Sequence, residues 1–154
     1  MKRVLFASIA LAFGANAMAQ TCASPLPIQS NSAVSGDTCT ASNTLPGYGG
    51  IPSPQTEIIY SFVAQSANAT ISLAHTGAPF GATMFVMPSP CSSSTDPIAL
   101  GDFTTPMPVN GLTNGATYYV IIPGDPGGPA DACGPFPATV TGILPVELQS
   151  FSVD

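Results

Sequence analysis

Glu57-Ile58-Ile59-Tyr60-Ser61-Phe62-Val63-Ala64 is the stretch from which the fold of this 154-residue chain is read. A two-residue period places Ile58, Tyr60, Phe62 and Ala64 on one face and Glu57, Ile59, Ser61 and Val63 on the other. Asn68-Ala69-Thr70-Ile71-Ser72-Leu73 repeats the pattern, with Ala69, Ile71 and Leu73 set against Asn68, Thr70 and Ser72. Both segments read as half-buried strands of an antiparallel sheet.

Three more strand segments lie downstream. Ala82–Met87 is stopped by Pro88, Thr117–Ile122 by Pro123, and Phe136–Thr141 by Gly142. Pro137 cannot donate to a ladder, so its strand is expected at an edge or a bulge. Asn114-Gly115 favours a tight turn before Thr117. Upstream, Leu45-Pro46-Gly47-Tyr48-Gly49-Gly50 reads as ordered loop held by a disulfide. No amphipathic stretch at 3.6 spacing survives the 17 prolines and 15 glycines. The fold class that follows is all-β: an antiparallel, jelly-roll-like β-sandwich stapled by disulfides.

The two ends of the chain differ from this middle. Lys2 and Arg3 precede an apolar run from Val4 to Phe13 and the small residues Ala17-Met18-Ala19, the layout of a secretory signal. The run is too short for a bilayer, which needs ~20 apolar residues. Residues 1–19 are therefore read as a signal peptide, 20–142 as the sandwich domain with an N-terminal disulfide loop, and 143–154 as a C-terminal tail strand. In that tail, Leu144, Val146 and Leu148 alternate with Pro145, Glu147 and Gln149 before the phase shifts to Phe151 and Val153, as a bulge would produce. Loss of the two cations takes the formal charge from −6 to −8 and leaves no Lys or Arg. Nucleic-acid phosphates and anionic membrane surfaces are excluded as partners, because both are bound through such cations. After signal cleavage no membrane insertion is expected. The expected location is secreted, periplasmic or on the cell surface of a bacterium.

Cys22, Cys39, Cys91 and Cys133 all follow the signal, and an even count in an exported chain reads as two disulfides. Three connectivities are open; Cys22–Cys39 with Cys91–Cys133 is the preferred one. A zinc site is disfavoured, since no pair has close spacing and His75 is far from all four.

Gly36-Asp37-Thr38-Cys39, Ile59-Tyr60-Ser61-Phe62, Ala69-Thr70-Ile71-Ser72-Leu73, the strand at Thr83–Met87, and Gly111-Leu112-Thr113-Asn114-Gly115-Ala116-Thr117-Tyr118-Tyr119-Val120 occur in an order that resembles the bacterial pre-peptidase C-terminal domain. The resemblance covers roughly residues 36–141. It implies an exported sandwich that is usually attached to a secreted hydrolase and is itself non-catalytic. This chain carries no such enzyme, so the domain is expected to act as a separate small protein.

The chemistry-bearing residues agree with a non-enzyme. His75 is the single candidate base, it stands at a strand end, and no Gly-x-Ser-x-Gly elbow accompanies it. Asp125 and Asp131 flank a loop rich in backbone carbonyls, a donor set suited to calcium, which collagen-binding relatives of the resembled family use. No other cofactor is expected. Tyr48, Phe85 and Tyr119 are candidate exposed aromatics for ligand binding. The expected function is a secreted accessory or binding domain for an extracellular protein or glycan. The alternative is a structural or surface-assembly subunit that uses its C-terminal strand for β-augmentation.

Overall fold

The computed structural model describes residues 21–73, 81, 83–102, 104–124 and 132–142. In chain order the strands are β1 (Leu26–Pro27), β2 (Ser32–Asp37), β3 (Gly47–Tyr48), β4 (Ile51–Pro52), β5 (Glu57–Val63), β6 (Asn68–Leu73), β7 (Thr83–Pro88), β8 (Ala99–Asp102), β9 (Met107–Asn110), β10 (Thr117–Pro123) and β11 (Pro135–Thr141). Among the described residues they form a five-stranded sheet, β1-β5-β10-β7-β8, a four-stranded sheet, β2-β11-β6-β9, and the β3–β4 hairpin. The all-β sandwich expected from the sequence is the architecture observed. One pairing departs from it: β1 runs parallel to β5, with Leu26 opposite Tyr60, so the larger sheet is mixed.

Between the two sheets lies the main core. Ile58, Tyr60 and Phe62 of β5, Val120 and Ile122 of β10, and Met84 and Val86 of β7 meet Ala69, Ile71 and Leu73 of β6, Phe136, Ala138 and Val140 of β11, and Met107 and Val109 of β9. Tyr60 meets Phe136 edge to face at 6.3 Å, and Phe62 stacks on Tyr118 at 5.7 Å. Burial pushes the Tyr60 hydroxyl up to about 12, and that hydroxyl donates to the Ser35 carbonyl at 3.2 Å. Gly36 makes room for this packing, because a Cβ there would stand 2.8 Å from Phe136 Cζ. The Gly111–Val120 element also gains a reason. Leu112 enters the core, and Tyr118 Oη accepts from the Thr113 amide at 3.0 Å, which closes the turn onto its strand.

Three expectations are corrected. The first is that β5 is half-buried: Glu57 and Ile59, assigned to its solvent face, are as buried as Ile58 and Tyr60. A second layer covers that face, and only Val63, at 48% exposure, lies beyond the cover. The second concerns β11, which is not an edge strand but lies between β2 and β6. Pro137 is tolerated because β2 pairs with residues 135–137, whereas the pairing with β6 runs from Ala138 onward.

The third correction is the disulfide framework. The bridges are Cys22–Cys91 and Cys39–Cys133, with Cα separations of 5.5 and 4.9 Å. Pairing in β2–β11 sets Asp37 opposite Pro135, and continuing that antiparallel register sets Cys39 opposite Cys133. Thr38 and Gly134, one step nearer the strands, exchange hydrogen bonds of 3.0 Å in both directions. Proximity in sequence was the wrong guide, since strand register decides which sulfurs meet.

Candidate binding face

The second layer sits on the outer face of the five-stranded sheet. Ile59, Phe85, Met87 and Ile121 project outward from β5, β7 and β10 and are capped by Leu45 and Tyr48, with the Cys22–Cys91 bridge and Tyr119 packed at the margin. Tyr48 and Phe85 stack with centroids 4.4 Å apart. This corrects the reading of these rings as exposed. Tyr48 and Phe85 are 0% and 2% accessible, and Tyr119 is half-buried, because the loop before β5 folds back as a roof instead of leaving the sheet bare.

Glu57 holds that roof. It is fully buried, and its Oε1 accepts from the Thr44 amide and hydroxyl, both at 2.6 Å, and from the Leu45 amide at 2.8 Å. Chain 42–46 is thereby fixed over the sheet, and the Glu57 amide donates to the Ser42 carbonyl at 3.2 Å. Glu57 Oε2 and Tyr48 Oη are both buried, and neither has a hydrogen-bond partner among the described residues. Burial pushes the Glu57 carboxyl above its ordinary range and outweighs the donors from Thr44 and Leu45, which pull it down. Tyr48 is raised as well, first by burial and then by the neighbouring Glu57. The hairpin is seated separately. Gly49, at φ +55°, approaches Asp96 and Pro97 so closely that a Cβ would lie 2.8 Å from both side chains.

On its outer surface the roof carries two adjoining shallow grooves. One, of about 440 Å³, is lined by the Cys22–Cys91 bridge, Thr44, Pro46, Ser92 and Ser93. The other, of about 210 Å³, runs between Pro46, Ile51, Pro52 and Ser93. Pro46 and Ser93 belong to both. Hydroxyls, prolines and one half-exposed isoleucine supply hydrogen bonds and apolar contact, and none of the described lining side chains titrates. Among the described residues no cluster of His, Cys, Asp and Glu could hold a metal ion, and no helix is long and apolar enough to cross a membrane.

Several sequence candidates are not brought to this face. Asp125 and Asp131, His75, the signal segment 1–19 and the tail 143–154 lie outside the described residues. Sequence reasoning missed Glu57 as the clasp, although a signal was present: a carboxylate beginning an otherwise apolar run, in a chain with only eight acidic residues, is costly to bury without several donors.

No protein-family model and no curated protein matches the sequence. Among solved structures, the chain is similar to the pre-peptidase C-terminal domain of collagenase from Bacillus anthracis, at 17% identity over 82% of this chain and 99% of that one, with a TM-score of 0.51. It is also similar to PliG of Aeromonas hydrophila, a periplasmic inhibitor of g-type lysozyme, at 14% identity over 76% of this chain and 94% of that one, with a TM-score of 0.52. At these identities the likeness establishes a shared sandwich fold, and the resemblance to the pre-peptidase C-terminal domain holds at that level.

Proposed function

We propose that the chain is a small exported binding module without catalysis of its own, and that the roofed outer face is its working surface. The observation that carries this reading is the pair of grooves: their walls are built on a disulfide and a buried carboxylate clasp, and their described lining residues include no acid, base or free thiol. Disulfides of this kind persist in oxidising compartments, which supports a secreted or periplasmic location for the chain that follows residues 1–19. The partner class is an extracellular protein or glycan. The lysozyme inhibitor that shares the fold makes a protein partner the first to test.

A titration of isotope-labelled protein with g-type lysozyme, and separately with a chitooligosaccharide, tests the proposal. The expected result is a set of chemical-shift changes confined to residues 44–52 and 91–93 with one of the two probes, abolished by Ser93→Trp, which places a bulky ring where the two grooves meet. Binding indifferent to that variant would remove the grooves from the reading. Turnover of either probe by the purified protein would remove the non-catalytic assignment.

A further inference from the structure

Beside the roof, the edge of the five-stranded sheet shows a different chemistry. Asp96, Ile98, Leu100 and Asp102 are exposed at alternate positions, while Pro97, Ala99 and Gly101 between them are half-buried. Ile98 and Leu100 are 46% and 57% accessible, the latter the highest figure for a large apolar side chain among the described residues. Among the described residues β8 is the terminal strand of its sheet and pairs with β7 alone. β9 approaches it at Gly101, where Met107 fills the space of a Cβ, but is hydrogen-bonded to β6 and not to β8. Edge strands are ordinarily blunted by charge or proline along their length. Here the charges stand only at the two ends of an apolar pair, and the one proline, Pro97, precedes β8.

The carboxylates say what kind of partner fits. Asp102 Oδ1 accepts from the Thr104 amide at 2.8 Å and its hydroxyl at 2.6 Å, so the group is fixed in place, and these bonds hold it below its ordinary range and therefore charged. Asp96 and Asp102 can be no more than about 22 Å apart along an extended chain. A second copy of this chain is excluded as occupant, because it would bring the same two carboxylates and, after position 3, has no Lys or Arg to set against them. Nucleic acid and anionic membrane are excluded by the same charges.

We propose that residues 96–102 form a docking strip for an extended segment of a basic protein, which adds to the free edge of β8. Its apolar side chains lie on Ile98 and Leu100, and its Lys or Arg side chains, set at both ends of that apolar pair, meet Asp96 and Asp102. The backbone edge supplies affinity and the two carboxylates supply register and selectivity. The proposal rests on the reading of the chain as a binding module and names a surface and partner class apart from the grooves.

Two peptides serve as probes: Lys-Thr-Val-Thr-Ile-Thr-Arg, which places cations and apolar side chains at the complementary spacing, and Glu-Thr-Val-Thr-Ile-Thr-Glu, which has the same apolar pair with the charge reversed. In a titration up to millimolar peptide at low salt, the cationic probe is expected to shift amides of residues 84–102. Its affinity should exceed that of the acidic probe at least tenfold and fall several-fold in 0.5 M salt. Asp96→Asn/Asp102→Asn should bring the cationic probe to the level of the acidic one, and Leu100→Ser should weaken both, with melting curves verifying that each variant is folded. Equal binding of the two peptides, shifts at the grooves instead of the edge, or no shift at millimolar cationic peptide would overturn the strip. Groove binding by lysozyme or oligosaccharide in the preceding experiment would be untouched by that result, so the two readings fail separately.

Discussion

The two sheets of this sandwich solve the same problem with different amounts of covering. The four-stranded sheet buries one face only: along β6, Ala69, Ile71 and Leu73 are buried while Asn68, Thr70 and Ser72 reach solvent to differing degrees. The five-stranded sheet buries both faces over most of its area, so Met84–Met87 of β7 and Glu57–Tyr60 of β5 are buried without a break. The difference teaches that a roof of Ser, Thr, Pro and Gly can close a sheet face when a few buried groups replace a broad apolar layer. Here those groups are Leu45, Tyr48, the Glu57 clasp and one disulfide. The roof is then a separable structural unit, whereas the inter-sheet core is common to the whole domain.

The largest expected effect comes from the bridges. Each closes a long loop, of sequence separation 94 for Cys39–Cys133 and 69 for Cys22–Cys91. Cys39→Ala/Cys133→Ala should cost about 4–5 kcal/mol on the chain-entropy estimate, read as a fall in the urea midpoint. Cys22→Ala/Cys91→Ala should cost about as much globally, and in addition should expose amides 43–56 to hydrogen exchange in the native state. Equal native-state exchange in the two variants would break the distinction between roof and core.

A matched pair of core deletions comes next. Ile71 faces the inter-sheet core and Ile59 faces the roof, and both are 0% accessible. Replacement of either by Ala should cost about 2–5 kcal/mol. In Ile71→Ala the loss should appear uniformly across both sheets, while in Ile59→Ala protection of residues 43–56 should fall first and furthest.

Removing the charge from the clasp sharpens the comparison through pH. The Glu57 carboxyl is raised in the folded protein, so the folded state holds its proton more tightly than the unfolded chain does. Its contribution to stability is therefore complete below the ordinary Glu range, near 4.3, and is lost as pH rises through the folded value. Asp102 has the opposite sign: it is lowered, and its contribution is lost as pH falls. Subtracting the stability curve of Glu57→Gln from that of the wild type isolates the clasp. The expected difference favours the wild type more in acid than at neutral pH, and a flat difference would mean that the three donors at Oε1 balance the burial.

The smallest effect is expected at the hairpin. Gly49→Ala introduces a Cβ at φ +55° against Asp96 and Pro97, whereas Gly50→Ala, at φ +81°, meets nothing within 4 Å. Strain alone should cost Gly50→Ala about 1 kcal/mol. Gly49→Ala should exceed that by the added contact, visible as a lower melting temperature.

Much of the sandwich was legible in advance because its strands carry their own period. β6 begins and ends where the alternation of Asn68–Leu73 does, and β5 and β10 were located to within one residue. The alternation does not mark β1 to β4, where the sequence reads as loop, nor β8 and β9. Ala99-Leu100-Gly101-Asp102 and Met107-Pro108-Val109-Asn110 are four residues each, too short for a period to stand out among Gly and Pro. The candidate site was less legible still. Tyr48 and Phe85 were noticed as aromatic rings, but whether a ring meets water depends on a roof assembled from residues distant in sequence, and here they stack on each other beneath it.

By itself the sequence determined most of the larger strands, an acidic composition without Lys or Arg after position 3, and an even set of cysteines. These are properties of composition and short-range alternation, which a linear reading captures. Tertiary structure alone decided which sulfurs pair, which face of β5 is dry, why Pro137 can stand in a strand flanked on both sides, and where Glu57 finds its donors. Each of these depends on register between segments tens of residues apart. Period-two alternation says that a side chain leaves a given face of a strand, but not what lies across from it; only the packed chain brings Cys39 to Cys133 and Thr44 to Glu57.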